Sequence, residues 1–155
     1  MPNAVLLYQN RVRIGSVFIG IVTFICIVTS TSVPVWKISK TFFVVETSGL
    51  WQFCNKVSKD CTSFGNVEGF MKACQAFGVI ATLLSFLTVL VVWCQWFSSK
   101  VNTVAILYVS SGVCMAVSLS IYASKYKDIE YGWAYIVGWC GVACAFIGFF
   151  MKLLL

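Results

Sequence analysis

The chain has 155 residues, of which 60% are hydrophobic and 10% charged, and its mean hydropathy is +0.91. A soluble domain carries about 25% charged residues, so this chain has too few polar groups to cover a surface that faces water. The net charge of +6 comes from lysines and arginines scattered singly or in pairs, and the lack of a basic stripe excludes a nucleic-acid partner. The expected partner is the lipid bilayer.

The first apolar segment, at about residues 14–33, follows Arg11 and Arg13 and is long enough to cross about 30 Å of hydrocarbon as a helix. It is longer than the core of a signal peptide and lacks a small-x-small cleavage site, so we expect an uncleaved span. Three more spans without internal charges are expected at about residues 73–97, 101–123 and 131–151. Residues 1–155 are thus predicted to form a single domain, an α-helical membrane protein built as a four-helix transmembrane bundle.

The one sizeable loop, residues 34–72, contains "VWKISKTFFVVETSGLWQFC", which is rich in Val, Ile, Phe, Thr and Trp. β-Branched and aromatic residues bounded by turn residues favour strands, so two or three short strands of an antiparallel β-sheet are expected here. Trp36 follows the first span, at the level where indoles prefer the membrane interface. The segment "NVEGFMKACQ" is predicted to be a short helix leading into the second span, and residues 124–130 form a short second loop.

Cys54 and Cys61 are the cysteines that lie clearly in a polar loop, and their short spacing favours a disulfide, which requires an oxidising compartment. Such a bond would stabilise the loop by about 2.5 kcal/mol. The alternatives are two free thiols or half of a zinc site, although zinc would need more ligands and the sequence has no histidine. The cysteines in or beside the spans are expected to pack as small apolar residues. For Cys94, at the end of the second span, palmitoylation is the alternative.

The orientation of the spans is addressed by two rules that disagree. The side of the termini holds four positive residues and the opposite side holds seven, which by the positive-inside rule favours termini outside the cytoplasm. The disulfide between Cys54 and Cys61 favours the reverse, because its loop must then face an oxidising compartment. We give the disulfide more weight, and we expect both termini in the cytoplasm and the small β-sheet of the first loop outside the cell.

The loop residues resemble a known signature. "PVW", followed by "GLWQFC" and a second cysteine, is similar to the W…GLWxxC…C pattern of the claudin superfamily, which includes claudins, peripheral myelin and epithelial membrane proteins, and auxiliary subunits of channels and receptors. The residues that carry the resemblance are Trp36, Gly49, Leu50, Trp51, Cys54 and Cys61. "YGWAYIVGW" at 131–139 resembles the start of the fourth span in this superfamily. Gln75 in "ACQAF" resembles the epithelial membrane and peripheral myelin branch, since claudins often have Arg there.

The resemblance implies one of two functions at the plasma membrane. The first is a protein of cell–cell junctions that associates with itself or related tetraspan proteins, for adhesion or as a paracellular barrier or channel. Phe42 or Phe43, in "TFFVV", is then the predicted lateral contact, unless this face of the strand is buried. Five lysines and three acids in residues 37–72 would give a pore a net charge of about +2, which favours anions.

The second function is an auxiliary or chaperone-like subunit of another membrane protein, such as a channel or receptor. The short loop and the ending "FFMKLLL", which lacks the scaffold-binding motif of many claudins, favour this alternative.

Enzymes and transporters are not expected. Without histidine there is no His-based acid–base or zinc chemistry, and no ionisable residue lies in the middle of a span, where transporters carry them. We therefore predict no enzymatic activity, no cofactor and no metal. Small residues at steps of about one turn instead predict the seams of a compact left-handed bundle. They are Gly78, Ala81 and Ser85, then Gly112, Ala116 and Ser120, and finally Gly141, Ala145 and Gly148.

Overall fold

Four long helices dominate the computed structural model of the chain, which describes residues 2–40, 45–65, 67–94, 101–126 and 130–153, with the backbone alone at 2–10, 40 and 101. The helices are α1 (Pro2–Ser32), α2 (Gly69–Cys94), α3 (Val101–Lys125) and α4 (Trp133–Leu153). Each contains a segment that is long and apolar enough to cross a membrane: Arg11–Ser32, Gly69–Cys94, Asn102–Lys125 and Trp133–Leu153. The predicted four-helix transmembrane class is confirmed.

Two helices begin earlier than the apolar pattern indicates. α1 begins at Pro2, because Arg11 and Arg13 interrupt the apolar run but are compatible with a helix. Proline suits the first helical position, where its missing N–H is not needed. α2 begins at Gly69, so the predicted short helix and the second span form one continuous helix.

Five strands form an antiparallel sheet that adjoins the end of α1. They are β1 (Lys37–Lys40), β2 (Val45–Ser48), β3 (Gln52–Asn55), β4 (Cys61–Ser63) and β5 (Glu130–Tyr131), in the spatial order β4-β3-β2-β1-β5. The first three are the strands expected in the first loop. The other two were not expected, and β5 comes from the second loop, where Tyr131 pairs with Lys37 and Glu130 with Ile38 of β1.

Small residues line the helix seams as predicted in α2 and α4 but not throughout α3. All three predicted positions are buried in α2 and in α4. In α3 Gly112 is buried, whereas Ser120 is exposed. Ala116 is half-buried and packs against the core, so the α3 prediction was wrong at Ser120, because two steps of four residues rotate a position by about 80° from its starting face. Large side chains fill the inner face of α3 instead: Tyr108, Met115, Leu119 and Tyr122.

Tyr108 joins three helices in the half of the bundle opposite the sheet. Its side chain is fully buried, and its hydroxyl donates a hydrogen bond of 2.7 Å to the carbonyl oxygen of Ser16 in α1. A Cβ atom on Gly148 of α4 would lie 2.6 Å from the tyrosine ring, and one on Gly20 would lie 2.8 Å from the hydroxyl. Both positions therefore need glycine for the ring to fit between α1 and α4.

We expect Gly148→Ala to destabilise the bundle by about 1–3 kcal/mol, because the enclosed ring of Tyr108 has to shift. The control is Gly69→Ala at the start of α2, where a Cβ would meet nothing within 4 Å. Thermal unfolding of the purified variants in detergent measures the difference. Equal unfolding temperatures for the two variants would contradict the tight fit around Tyr108.

Candidate functional site

The candidate site is the sheet together with the residues that attach it to the helices, and Trp36 is its central side chain. Trp36 is fully buried, packed edge-on against Tyr122 of α3 at 5.0 Å and Tyr135 of α4 at 5.9 Å between ring centroids. Its backbone N–H donates a hydrogen bond to the carbonyl oxygen of Ser48, and its carbonyl oxygen accepts one from the N–H of Gly132. Trp36 is therefore a core residue that joins the sheet to the bundle, and it does not lie in the lipid interface as its sequence position indicated.

Two indole groups complete the end of α1. The last carbonyls of a helix lack partners within it and must be satisfied by other donors. The Nε1–H of Trp36 donates to the carbonyl of Ser30 at 2.6 Å, and the Nε1–H of Trp51 donates to that of Thr31 at 2.8 Å. The tryptophans at both ends of the "W…GLW" pattern thus cap the same helix terminus.

Gly49 and Leu50 bring the loop close to the helices. A Cβ on Gly49 would lie 2.5 Å from the Cα of Pro34 and 2.9 Å from the carbonyl oxygen of Val33, so only glycine fits against this backbone. Leu50 is 1% exposed and belongs to the core. Its carbonyl oxygen accepts a hydrogen bond of 2.7 Å from Nε2 of Gln75, which fastens the loop to α2 as well.

A disulfide joins Cys54 and Cys61, which confirms that prediction over free thiols and a zinc site. The two cysteines are paired in register across β3 and β4. The turn between them is held by the side chain of Asn55, whose Oδ1 accepts the N–H of Val57 at 2.9 Å. Among the residues that the structure describes, no group of three or more His, Cys, Asp or Glu side chains could hold a metal ion.

Aromatic residues of the second loop and its flanks complete the contact between the sheet and the helices. Tyr131 stacks on Tyr135 at 4.5 Å, and its hydroxyl donates to the carbonyl of Tyr126. The Nζ of Lys37 lies 4.6 Å from the centroid of the Tyr126 ring. Burial, followed by the negative charge of Glu68, raises the pKa of the Tyr126 phenol, which keeps it neutral.

The sequence reasoning missed the tyrosines and the contact of Gln75 with the loop. One signal was present, since Tyr122 with Tyr126 and Tyr131 with Tyr135 are aromatic pairs spaced by four residues. Nothing in the sequence near Gln75 indicated that its amide binds the carbonyl of Leu50.

The remaining predicted site residues are Cys94 and the two phenylalanines of the first loop. Cys94 is the last residue of α2 and its side chain is exposed, so palmitoylation there stays a prediction. Phe42 and Phe43, the predicted lateral contacts, lie outside the described residues. On the described part of the sheet, Trp51 is 42% and Val57 66% exposed. All three residues of the edge strand β4 are exposed as well.

We expect Trp36→Phe to be more damaging than Trp51→Phe, although each removes one indole N–H from the end of α1. At Trp36 a buried carbonyl is left unpaired, at a cost of about 1–3 kcal/mol. At the half-exposed Trp51 water replaces the donor, so the cost is about 1 kcal/mol or less. Thermal unfolding in detergent checks the order, and equal losses would show that capping of α1 is not what makes Trp36 important.

Replacing both Cys54 and Cys61 by Ser should loosen the β3–β4 hairpin and leave the helices intact. The expected loss is about 2.5 kcal/mol on the chain-entropy model. Hydrogen exchange followed by mass spectrometry should show faster exchange at residues 52–63 and no change in α2. The matched control is Cys140→Ser with Cys144→Ser, two free cysteines of α4. Unchanged exchange at the hairpin would contradict a stabilising role for the disulfide.

The comparison with known proteins agrees with this architecture. The sequence pattern of the PMP-22/EMP/MP20/Claudin family matches residues 12–151. The chain is 25% identical to epithelial membrane protein 2 of Homo sapiens and of Pan troglodytes over 141 residues, covering 77% of this chain and 81% of each relative. It is 24% identical to claudin domain-containing protein 2 of Mus musculus over 151 residues, covering 94% of this chain and 87% of the relative. The chain therefore belongs to the PMP-22/EMP/MP20/Claudin family of membrane proteins.

Proposed function

We propose that this protein associates with copies of itself at cell–cell junctions of the plasma membrane, where it contributes to adhesion or to a paracellular barrier or channel. The sheet is the interacting part, and no enzymatic step is involved. Both termini are cytoplasmic and the sheet is extracellular.

The disulfide supports this orientation. The bond between Cys54 and Cys61 lies in an exposed hairpin, where it persists only in an oxidising compartment such as the cell exterior. The positive-inside count, four residues against seven, supports the opposite arrangement. We give the disulfide more weight because the bond depends directly on the redox compartment, whereas two positive residues flank the first span on each side and favour neither orientation.

The observation that carries the proposal is a firmly attached sheet with an open edge. Among the described strands, β4 is the last in the sheet order, with β3 on one side only. The N–H of Asn55 donates to the carbonyl of Asp60, and the N–H of Phe64 donates to the carbonyl of Trp51. Between β3 and β4, hydrogen-bonded residue pairs such as these alternate with pairs that are not hydrogen-bonded. By the same alternation the N–H groups of Cys61 and Ser63 point away from β3. Unpaired strand edges of this kind accept a strand from another molecule.

The attachment of the sheet makes this edge suitable for lateral assembly. Trp36, Trp51 and Gln75 fasten the loop to α1 and α2, so the orientation of β4 follows that of the bundle. A fixed edge loses little conformational freedom on pairing, which favours association between neighbours in one membrane. The exposed Val57 beside β4 adds apolar surface to the contact.

The alternative is an auxiliary or chaperone-like subunit of a channel or receptor. The sequence comparison leaves room for it. The chain is 25% identical to epithelial membrane protein 2 and 24% identical to claudin domain-containing protein 2, so sequence identity does not favour one branch of the family. In that case the protein would be spread over the cell surface and would co-purify with one larger membrane protein.

The variant Ser63→Pro tests assembly through β4. Proline removes the outward N–H without removing a bond to β3, and edge strands tolerate it. In cells that lack junction strands, we expect the unmodified protein to concentrate at cell–cell contacts, form strands in freeze-fracture images and raise transepithelial resistance. Ser63→Pro should abolish strands and resistance, whereas the control Ser63→Ala, which keeps the N–H, should retain both.

Both variants must reach the surface in equal amounts, which labelling of intact cells measures. Strands that persist in Ser63→Pro would contradict assembly through β4. A uniform surface distribution of the unmodified protein, together with co-purification of one large channel, would favour the auxiliary subunit instead.

A further inference from the structure

Lys152 is a buried charged residue at the end of the bundle opposite the sheet. It is 5% exposed and continues the buried face of α4 that Gly141, Ala145 and Gly148 form. At the end of a membrane helix, a lysine ordinarily extends its ammonium group into the headgroup region. Lys152 instead occupies a position that points into the bundle, where its neighbours along the helix are small and apolar.

Within the described ranges, no acidic side chain is found to act on this ammonium group. Among the residues that the structure describes, the charge found to act on Lys152 is the guanidinium of Arg13 in α1, which is also positive. The acidic residues that the structure describes belong to the sheet and the loops at the opposite end of the bundle, and Asp128 lies outside the described residues. The described acids are Glu46, Asp60, Glu68 and Glu130. A buried ammonium beside a second cation is unfavourable unless an anion compensates both charges.

A second buried polar residue lies at the same level. The positions of Gly141 and Gly138 in α4 face Ile27 and Ser30 of α1, and Gly15 faces Met151. This antiparallel register puts Ser16 opposite Lys152. The side chain of Ser16 is fully buried, and its hydroxyl has no hydrogen-bond partner. A ligand that accepts hydrogen bonds would satisfy this hydroxyl as well as the ammonium group.

The position matches the depth of lipid headgroups. The apolar span of α1 begins at Arg11 and that of α4 ends at Leu153, so Arg13 and Lys152 lie within one turn of the hydrocarbon boundary. Exposed apolar side chains lie within about one turn on the same two helices. They are Ile14 and Phe18 on α1 and Phe150 on α4, exposed by 58%, 68% and 59%. Such side chains provide a surface for acyl chains directly below a bound headgroup.

We propose that Arg13 and Lys152, with the hydroxyl of Ser16, bind the phosphate of an anionic phospholipid headgroup between α1 and α4. Basic pockets between transmembrane helices are suited to such headgroups, and anionic lipids are enriched in the cytoplasmic leaflet. The inference rests on the proposed function only for the cytoplasmic location of this end of the bundle. The site itself depends neither on junctions nor on the sheet.

Native mass spectrometry of the full chain in detergent tests the site, with phosphatidylserine and phosphatidylcholine of the same acyl chains as probes. We expect the protein to retain phosphatidylserine in preference to phosphatidylcholine. Lys152→Met keeps the length of the side chain and removes its charge, and it should weaken phosphatidylserine binding about fivefold. Lys152→Arg should retain the preference. The control Lys72→Met removes an exposed lysine from the opposite end of the bundle and should change nothing.

Thermal unfolding supplies a second measurement that separates binding from folding. We expect phosphatidylserine to raise the unfolding temperature of the unmodified protein and not that of Lys152→Met, which should fold because it buries no charge. Equal binding of the two lipids, or an undiminished preference in Lys152→Met, would overturn the proposal. Equal stabilisation by inorganic phosphate would also overturn it, since the ligand would then be a free anion. Because the protein is isolated, a failure here is independent of any failure at cell junctions.

Discussion

The structure depends on how the C-terminal end of α1 is satisfied where the helix emerges from its membrane-spanning segment. A helix end exposes carbonyl groups, and in or near lipid there is little water to bind them. Two consecutive carbonyls of α1 instead accept hydrogen bonds from the indole N–H groups of Trp36 and Trp51. The residues that cap the helix are the same ones that place the sheet, so loss of either tryptophan side chain affects both.

This coupling explains the spacing of the loop signature. Between the two tryptophans the chain forms β1 and β2 and returns to the helix end. The return requires Gly49, because its backbone passes against that of Pro34, and it directs Leu50 into the core. Trp51 then reaches the carbonyl next to the one that Trp36 occupies. The disulfide acts further out and stabilises the hairpin that presents the open edge of β4.

The local sequence pattern was sufficient to predict the helices, strands β1 to β3 and the disulfide. An apolar run of sufficient length permits only a spanning helix, and a pair of cysteines in a polar loop has few alternatives. The rest arises from contacts between distant segments. β5 is only two residues long and exists because Lys37 and Ile38 provide a partner. Gly148 is required because Tyr108 lies against it from another helix.

The pairing of β5 with β1 has a consequence for biogenesis. The β3–β4 hairpin is local and can close as soon as its own residues are synthesised, because the loop that must form is short. β1 must wait for β5, since α2 and α3 lie between them in the chain. Because β5 follows α3 and precedes α4, the sheet is complete only in a chain whose third helix has already brought the second loop to the side of the first.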